Sequence, residues 1–220
     1  MSLFSFARAQ IRSIRQRDPS VKSSFEILFF PGFRAMNTWY ITHKLYKNGH
    51  CTLARILSLK AQRKTGIDIH PGAVIGDNFF IDHGAGVVIG ETTIIGNNCT
   101  LFQGVTLGAT GHESGLRHPI LEDNVIIGAG AKVIGRITIG KNSRIGAGSV
   151  IVKSVPAYTT MIPPAAHPIR YKDFRIPQLS LEAVNRRLSE DIRQTRLKQS
   201  RLATEISQLR CALPHTKDLS

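Results

Sequence analysis

Aliphatic residues return at every sixth position through the middle of the chain. Ile69, Ile75 and Ile81 fall six apart, then Ile89, Ile95, Leu101 and Leu107, then Leu121, Ile127, Val133, Ile139, Ile145 and Ile151. A hexapeptide period led by an aliphatic residue predicts a parallel β-helix, in which three short strands make one triangular coil and stacked coils share one core. Gly follows the aliphatic residue at Gly76, Gly90, Gly96, Gly108, Gly128, Gly140 and Gly146. Small or β-branched residues fill the fifth place at Ala73, Ala85, Thr93, Val105, Ala131 and Ser149. Both features suit a chain that bends every few residues around a narrow interior. An amphipathic helix would instead repeat at about 3.6 residues with fewer glycines.

The period slips twice: the step from Ile81 to Ile89 is eight residues and that from Leu107 to Leu121 is fourteen. The extra residues must loop out of the coil. The longer insertion, 109–119, is polar and Gly-bearing, and such loops on a rigid scaffold are where binding and catalytic groups tend to sit.

Three domains follow. Residues 1–65 predict a small helical domain: a helix over 3–17 ending at Asp18-Pro19, further helical pattern from Ser24, a turn at Pro31-Gly32, then helices over 33–48 and 52–62. Its Phe, Trp and Tyr residues read as core or subunit contacts. Residues 66–165 are the β-helix. Strands are expected to end at Val155-Pro156, and 166–220 continue as an extended exit and a long amphipathic helix with apolar stripes at Leu181, Val184, Leu188 and Ile192 and at Leu202, Ile206 and Leu209. Residues 213–220 are expected to fray.

Charge is unevenly shared. Residues 1–65 carry twelve Lys/Arg against two Asp/Glu, 66–165 six against seven, and 166–220 eleven against six, within a net charge of +14. Scattered basic residues with few interleaved aromatics in the tail read as a solubility device, so neither nucleic acid nor membrane is expected as a partner. Cys51, Cys99 and Cys211 form neither a disulfide framework nor a metal clip, which suggests reduced thiols and the cytoplasm. No uncharged apolar run reaches the ~20 residues of a membrane helix.

Histidines stand where the period breaks. His83, next to Asp82, lies at the first slip, and Arg117-His118-Pro119 at the foot of the long loop. Asp68 precedes His83 by fifteen residues, a little less than one coil of about eighteen, so the carboxylate is expected to approach and orient the imidazole. Such a ring could take a proton from a hydroxyl attacking an acyl carbon. The competing metal reading uses His70, His83, His112 and His118 as imidazole ligands, as in trimeric β-helical hydratases. It lacks ligand-pair spacing and leaves Asp68 and Arg117 without roles, so no metal is expected.

The segments Asp68-Ile-His-Pro, Phe80-Ile-Asp-His-Gly, Val88-Ile-Gly-Glu-Thr, Gly104-Val-Thr-Leu-Gly, Arg117-His-Pro and Ile127-Gly-Ala-Gly-Ala-Lys132, in that order, resemble serine O-acetyltransferase of cysteine biosynthesis. The resemblance spans roughly residues 10–165. It implies a left-handed β-helix, a homotrimer with sites between subunits, and acetyl transfer from acetyl-CoA to the hydroxyl of L-serine. It also implies His83 as general base, Asp68 as its partner, and His118 as a second catalytic histidine near the thioester. Arg117 would grip the serine carboxylate, and Asp18 with Asp82 would hold its ammonium. Coenzyme A would lie along Gly128, Ala129, Gly130, Ala147 and Gly148, with Lys132, or Lys141 and Arg144, meeting phosphates and Gly104 or Gly108 supporting the oxyanion.

The sequence also departs from that pattern. The helical N-terminal domain is short, which makes a trimer a safer expectation than a dimer of trimers, and Ala109 replaces a Gly beside the acceptor. The chain closes on Lys-Asp-Leu-Ser220, where the tail that plugs cysteine synthase ends in Ile, and this argues against that partnership. The alternatives are an acetyltransferase for a sugar or another hydroxy amino acid, and a metal-dependent hydratase of the same fold.

Overall fold

The computed structural model describes residues 2–111, 114–164, 170–171, 174–175 and 181–212. Helix α1 (Leu3–Arg17) opens on Ser2, whose hydroxyl accepts the Ser5 N–H at 3.2 Å, and stops where Pro19 forbids continuation. After α2 (Ser24–Ile27), α3 runs Pro31–Lys47. Pro31 and Gly32 therefore begin a helix instead of making the expected turn. Proline costs nothing at the first helical position, where its missing N–H has no intrahelical partner. Helix α4 (Cys51–Thr65) closes on Gly66 in the left-handed conformation, φ 72°.

Three parallel walls follow. The first holds β1 (Asp68–Ile69), β4 (Val88–Ile89), β7 (Thr106–Gly108), β10 (Lys132–Ile134) and β13 (Val150–Ile151). The second holds β2 (Val74–Ile75), β5 (Ile94–Ile95), β8 (Ile120–Leu121) and β11 (Thr138–Ile139). In the third are β3 (Phe80–Ile81), β6 (Thr100–Leu101), β9 (Ile126–Ile127), β12 (Arg144–Ile145) and β14 (Thr160–Met161). One coil is eighteen residues where the period is unbroken, as from Val88 to its neighbour Thr106. It is twenty from Asp68 to Val88 and twenty-six from Thr106 to Lys132, so each slip bulges out of a coil without shifting the register above it. Strand β14 adds a rung beyond the expected end at Val155-Pro156, because Arg144 and Ile145 pair with Thr160 and Met161.

Twelve of the thirteen hexapeptide aliphatics are buried and Ile75 is half-buried, one continuous column of apolar side chains. Ala85 departs from expectation: it is exposed, and Val87 takes the inward place. The two extra residues at the first slip move the inward phase along by two. The helices dock on this prism. Trp39 donates to Ala73 O at 3.1 Å, a ring nitrogen of His43 lies 2.8 Å from Pro71 O, and Gly32 sits where a Cβ would stand 2.5 Å from Ile81 O. Residues 1–164 form one compact unit.

The second unit, 165–220, contains an antiparallel pair, β15 (Arg170–Tyr171) with β16 (Phe174–Arg175), and α5 (Leu181–Ala212). Leu188, Ile192, Leu202 and Ile206 are each about half exposed along α5. No helix among the described residues is long and apolar enough to cross a membrane. The expectations for residues 213–220, and for His112 as a ligand, lie outside the described residues.

Candidate active site

The edge joining the third wall to the first carries His83. Between β3 and β4 the chain holds His83 at φ 57° and Gly84 at φ 85°, which turns the imidazole outward with 76% of its side chain exposed. A non-glycine residue in the left-handed region is uncommon and carries strain that the surrounding coil must hold. Asp82 Oδ1 lies 4.0 Å from His83 Nε2. Asp18 joins both in one cleft of about 280 Å³, floored by Phe30, Gly32 and Phe80. Arg17 positions that aspartate: its guanidinium donates to Cys99 O at 3.3 Å and to Thr100 Oγ1 at 3.1 Å, pinning the end of α1 to the third wall. Asp18 Oδ1 then accepts the Ser20 N–H and hydroxyl at 2.9 and 2.6 Å, which leaves Oδ2 available to a ligand. A larger groove of about 590 Å³ continues from Asp82 and Arg17 along the outer face of the third wall to Arg144.

Above His83 the same edge is built from glycine. Gly104 N–H bonds to Ala85 O, Gly130 N–H to Gln103 O and Gly148 N–H to Ala129 O, each at 2.8 Å, so Gly128, Ala129, Gly130, Ala147 and Gly148 share one strip with His83 at its foot. The neighbouring edge meets the same positive φ with Asn78, Asn98, Asn124 and Asn142. Backbone demand alone therefore does not require glycine here. A Cβ on Gly130 or Gly148 would have nothing within 4 Å, and the strip is left open to whatever lies against it.

The edge joining the first wall to the second carries the other charged groups. Arg117 Nη2 donates to Glu91 Oε2 at 2.5 Å, and Tyr46 of α3 donates to Glu91 Oε1 at 2.9 Å. Arg117 first, then Tyr46, hold the Glu91 carboxyl below the usual carboxylate range. His118 is buried, with its ring against Gly90. Thr92 Oγ1 accepts the backbone N–H groups of Arg117 and His118 at 3.0 and 3.2 Å, so its own proton points to His118 Nδ1, 2.9 Å away. The Thr92 N–H also donates to Nδ1, at 3.3 Å. Nδ1 is thus an acceptor, and the neutral ring carries its proton on Nε2.

Burial, and then Arg117, hold His118 below its ordinary 6.5; burial does the same for His70. The unfolded chain therefore takes up protons first as pH falls. Stability that is full above 6.5 is lost as pH drops through the folded values, whereas the loss from Glu91 begins only below 4.5. The melting temperature is expected to fall as pH drops below about 6.5, before the carboxylates titrate, and His118→Asn, whose amide oxygen can still accept from Thr92, to flatten that fall.

The family model for the bacterial transferase hexapeptide, six repeats, matches residues 118–153. The serine acetyltransferase of Synechococcus elongatus is 49% identical over 161 residues, which cover 73% of this chain and 66% of that protein. That of Staphylococcus epidermidis is 48% identical over 170 residues, 77% of this chain and 80% of that protein. The chain belongs to the serine acetyltransferase family. Solved relatives include the Neisseria gonorrhoeae serine acetyltransferase in complex with serine, with 42% identity and TM-score 0.70 over 76% of this chain and 68% of that one. The Brucella abortus serine acetyltransferase in complex with coenzyme A has 39% identity and TM-score 0.70 over 74% and 66%. The prism is the left-handed parallel β-helix of that family.

Within one chain no hydrogen bond or ion pair joins Asp68 to His83. Asp68 Oδ1 lies 3.4 Å from Arg55 Nη1, on the outer face of the first wall, and the carboxylate beside the imidazole is Asp82. His118, Arg117 and Gly108 stand at a different edge from His83 within one chain. Lys132 is also engaged elsewhere: its ammonium donates to Gly104 O at 2.6 Å and Thr106 Oγ1 at 3.0 Å, tying two coils together. His83 stands at a different edge from His70 and His118, and no cluster suited to a metal exists among the described residues. Cys99, its thiol pushed up to about 11 chiefly by burial, is a packing residue. Tyr46, Glu91 and Thr92 carried no role in the sequence reading, although Val88-Ile-Gly-Glu-Thr marked their neighbourhood.

Proposed function

We propose that the protein transfers the acetyl group of acetyl-CoA to the hydroxyl of L-serine, giving O-acetyl-L-serine for cysteine biosynthesis in the cytoplasm. The observation that carries this reading is the cleft that gathers Asp18, Asp82 and an outward, strained His83 at the foot of an open glycine strip. Two carboxylates suit an ammonium, and an exposed imidazole suits a hydroxyl proton. His83 takes that proton as the serine oxygen bonds to the thioester carbon. The C–S bond then breaks, and His83 returns the proton to the departing thiolate. The His118 Nε2–H is a donor suited to the developing oxyanion, and Arg117 to the serine carboxylate.

These donors lie at another edge of the same prism, so one chain supplies two half-sites. A cyclic homotrimer would set the Arg117–His118 edge of one protomer against the His83 edge of the next and complete three sites. Purified protein is expected to release coenzyme A with L-serine far faster than with sugars or other hydroxy acids; a better acceptor in that screen overturns the assignment. Gly130→Asn tests the strip separately. Asn tolerates positive φ, as four asparagines do on the neighbouring edge, so the fold should survive while the KM for acetyl-CoA rises about tenfold, since its side chain occupies the ligand's path.

A further inference from the structure

The carboxylate of Glu91 receives two donors from different parts of the molecule. Tyr46, near the end of α3, reaches Oε1, and Arg117, at the foot of the long insertion, reaches Oε2. His70 packs edge-on against the Tyr46 ring at 5.7 Å, and the Arg117 backbone is fixed from the same short segment by Thr92. Among the described residues only Nη2 of Arg117 is engaged, through one of its two protons, which leaves its second proton together with those of Nη1 and Nε to meet a carboxylate.

We infer that Glu91 and Tyr46 are positioning residues that present Arg117 to the acceptor carboxylate, so that selection of a carboxylate-bearing acceptor depends on a helix outside the prism. The inference rests on the role proposed above for Arg117. Two effects oppose each other. Glu91 competes with the acceptor for the guanidinium, yet both side chains are about a third exposed, where an ion pair is screened and shifts affinity only a few-fold. A freed arginine must be ordered anew at each binding event, at a cost of about tenfold. Ordering wins, so loss of Glu91 weakens binding. Gln can still accept from Arg117 and donate to Tyr46, so it should restore much of the geometry.

The test compares L-serine with L-serinamide, which keeps the hydroxyl and the ammonium and lacks the carboxylate. Arg117→Ala is expected to abolish the preference for L-serine; an unchanged preference would overturn the role of Arg117 itself. Given that loss, Glu91→Ala is expected to raise the KM for L-serine about tenfold, with kcat, the KM for acetyl-CoA and kcat/KM for L-serinamide each held within about twofold. Tyr46→Phe should shift the serine KM about threefold in the same sense, and Glu91→Gln should recover to within about threefold of the parent. An unchanged serine KM in Glu91→Ala, or equal losses for both acceptors, overturns the inference and leaves the reading of Arg117 standing.

Discussion

Replacing His83 with Asn is expected to lower kcat for acetyl transfer by about 10²–10⁴-fold, the usual contribution of a general base. The KM for acetyl-CoA and the melting temperature should stay near those of the parent. Asn suits this position for a structural reason: the backbone sits at φ 57°, where Asn is the residue that costs least after Gly, and the chain already uses Asn at φ 54–59° in four other corners. The imidazole is mostly exposed and its nearest charged partner is 4.0 Å away, so little packing or ion pairing is lost. Thiol release with saturating L-serine, read beside a thermal melt, separates chemistry from folding. More than about a tenth of parental kcat in a fully folded variant would remove His83 from the role of base.

The prism was legible because every coil repeats one demand, an aliphatic side chain inward at each sixth residue, and the structure buries Ile89, Leu101, Ile127 and Val133 accordingly. The period reads inside from outside but says little about a residue inserted between coils, which is why Ala85 was placed inward when Val87 fills that space. The same limit shaped the site. The broken rhythm drew attention to His83 and Asp82, which the structure sets side by side, whereas spacing alone suggested a pairing of Asp68 with His83. Within one chain the charged neighbour of Asp68 is Arg55, from a helix whose docking no hexapeptide pattern encodes. Tyr46, Glu91 and Thr92 act across coils or across the helix–prism contact, over sequence separations of 45 for Tyr46 with Glu91 and 26 for Thr92 with His118. Periodicity carries no trace of such contacts. Only the segment resemblance marked the neighbourhood of Glu91 and Thr92, without saying what they do.

Gly90→Ala is expected to reduce kcat about 10²-fold or more, the usual effect of removing one aimed donor, although glycine has no side chain to react. Its φ is not in the left-handed region, so alanine meets no backbone penalty. The obstacle is the His118 ring: a Cβ on Gly90 would stand 2.0 Å from His118 Cδ2 and 2.1 Å from Nε2, far inside contact distance. The ring cannot yield by a few tenths of an ångström, because Thr92 holds Nδ1 from the other side with its hydroxyl and its N–H. It must leave, breaking both hydrogen bonds and taking the Nε2–H out of place. A double-variant comparison isolates the cause. If Gly90→Ala acts only by evicting the ring, then Gly90→Ala combined with His118→Ala should be no slower than His118→Ala alone, since the methyl then enters space the ring has vacated. Additive losses would mean that Gly90 serves the reaction by some route other than seating His118.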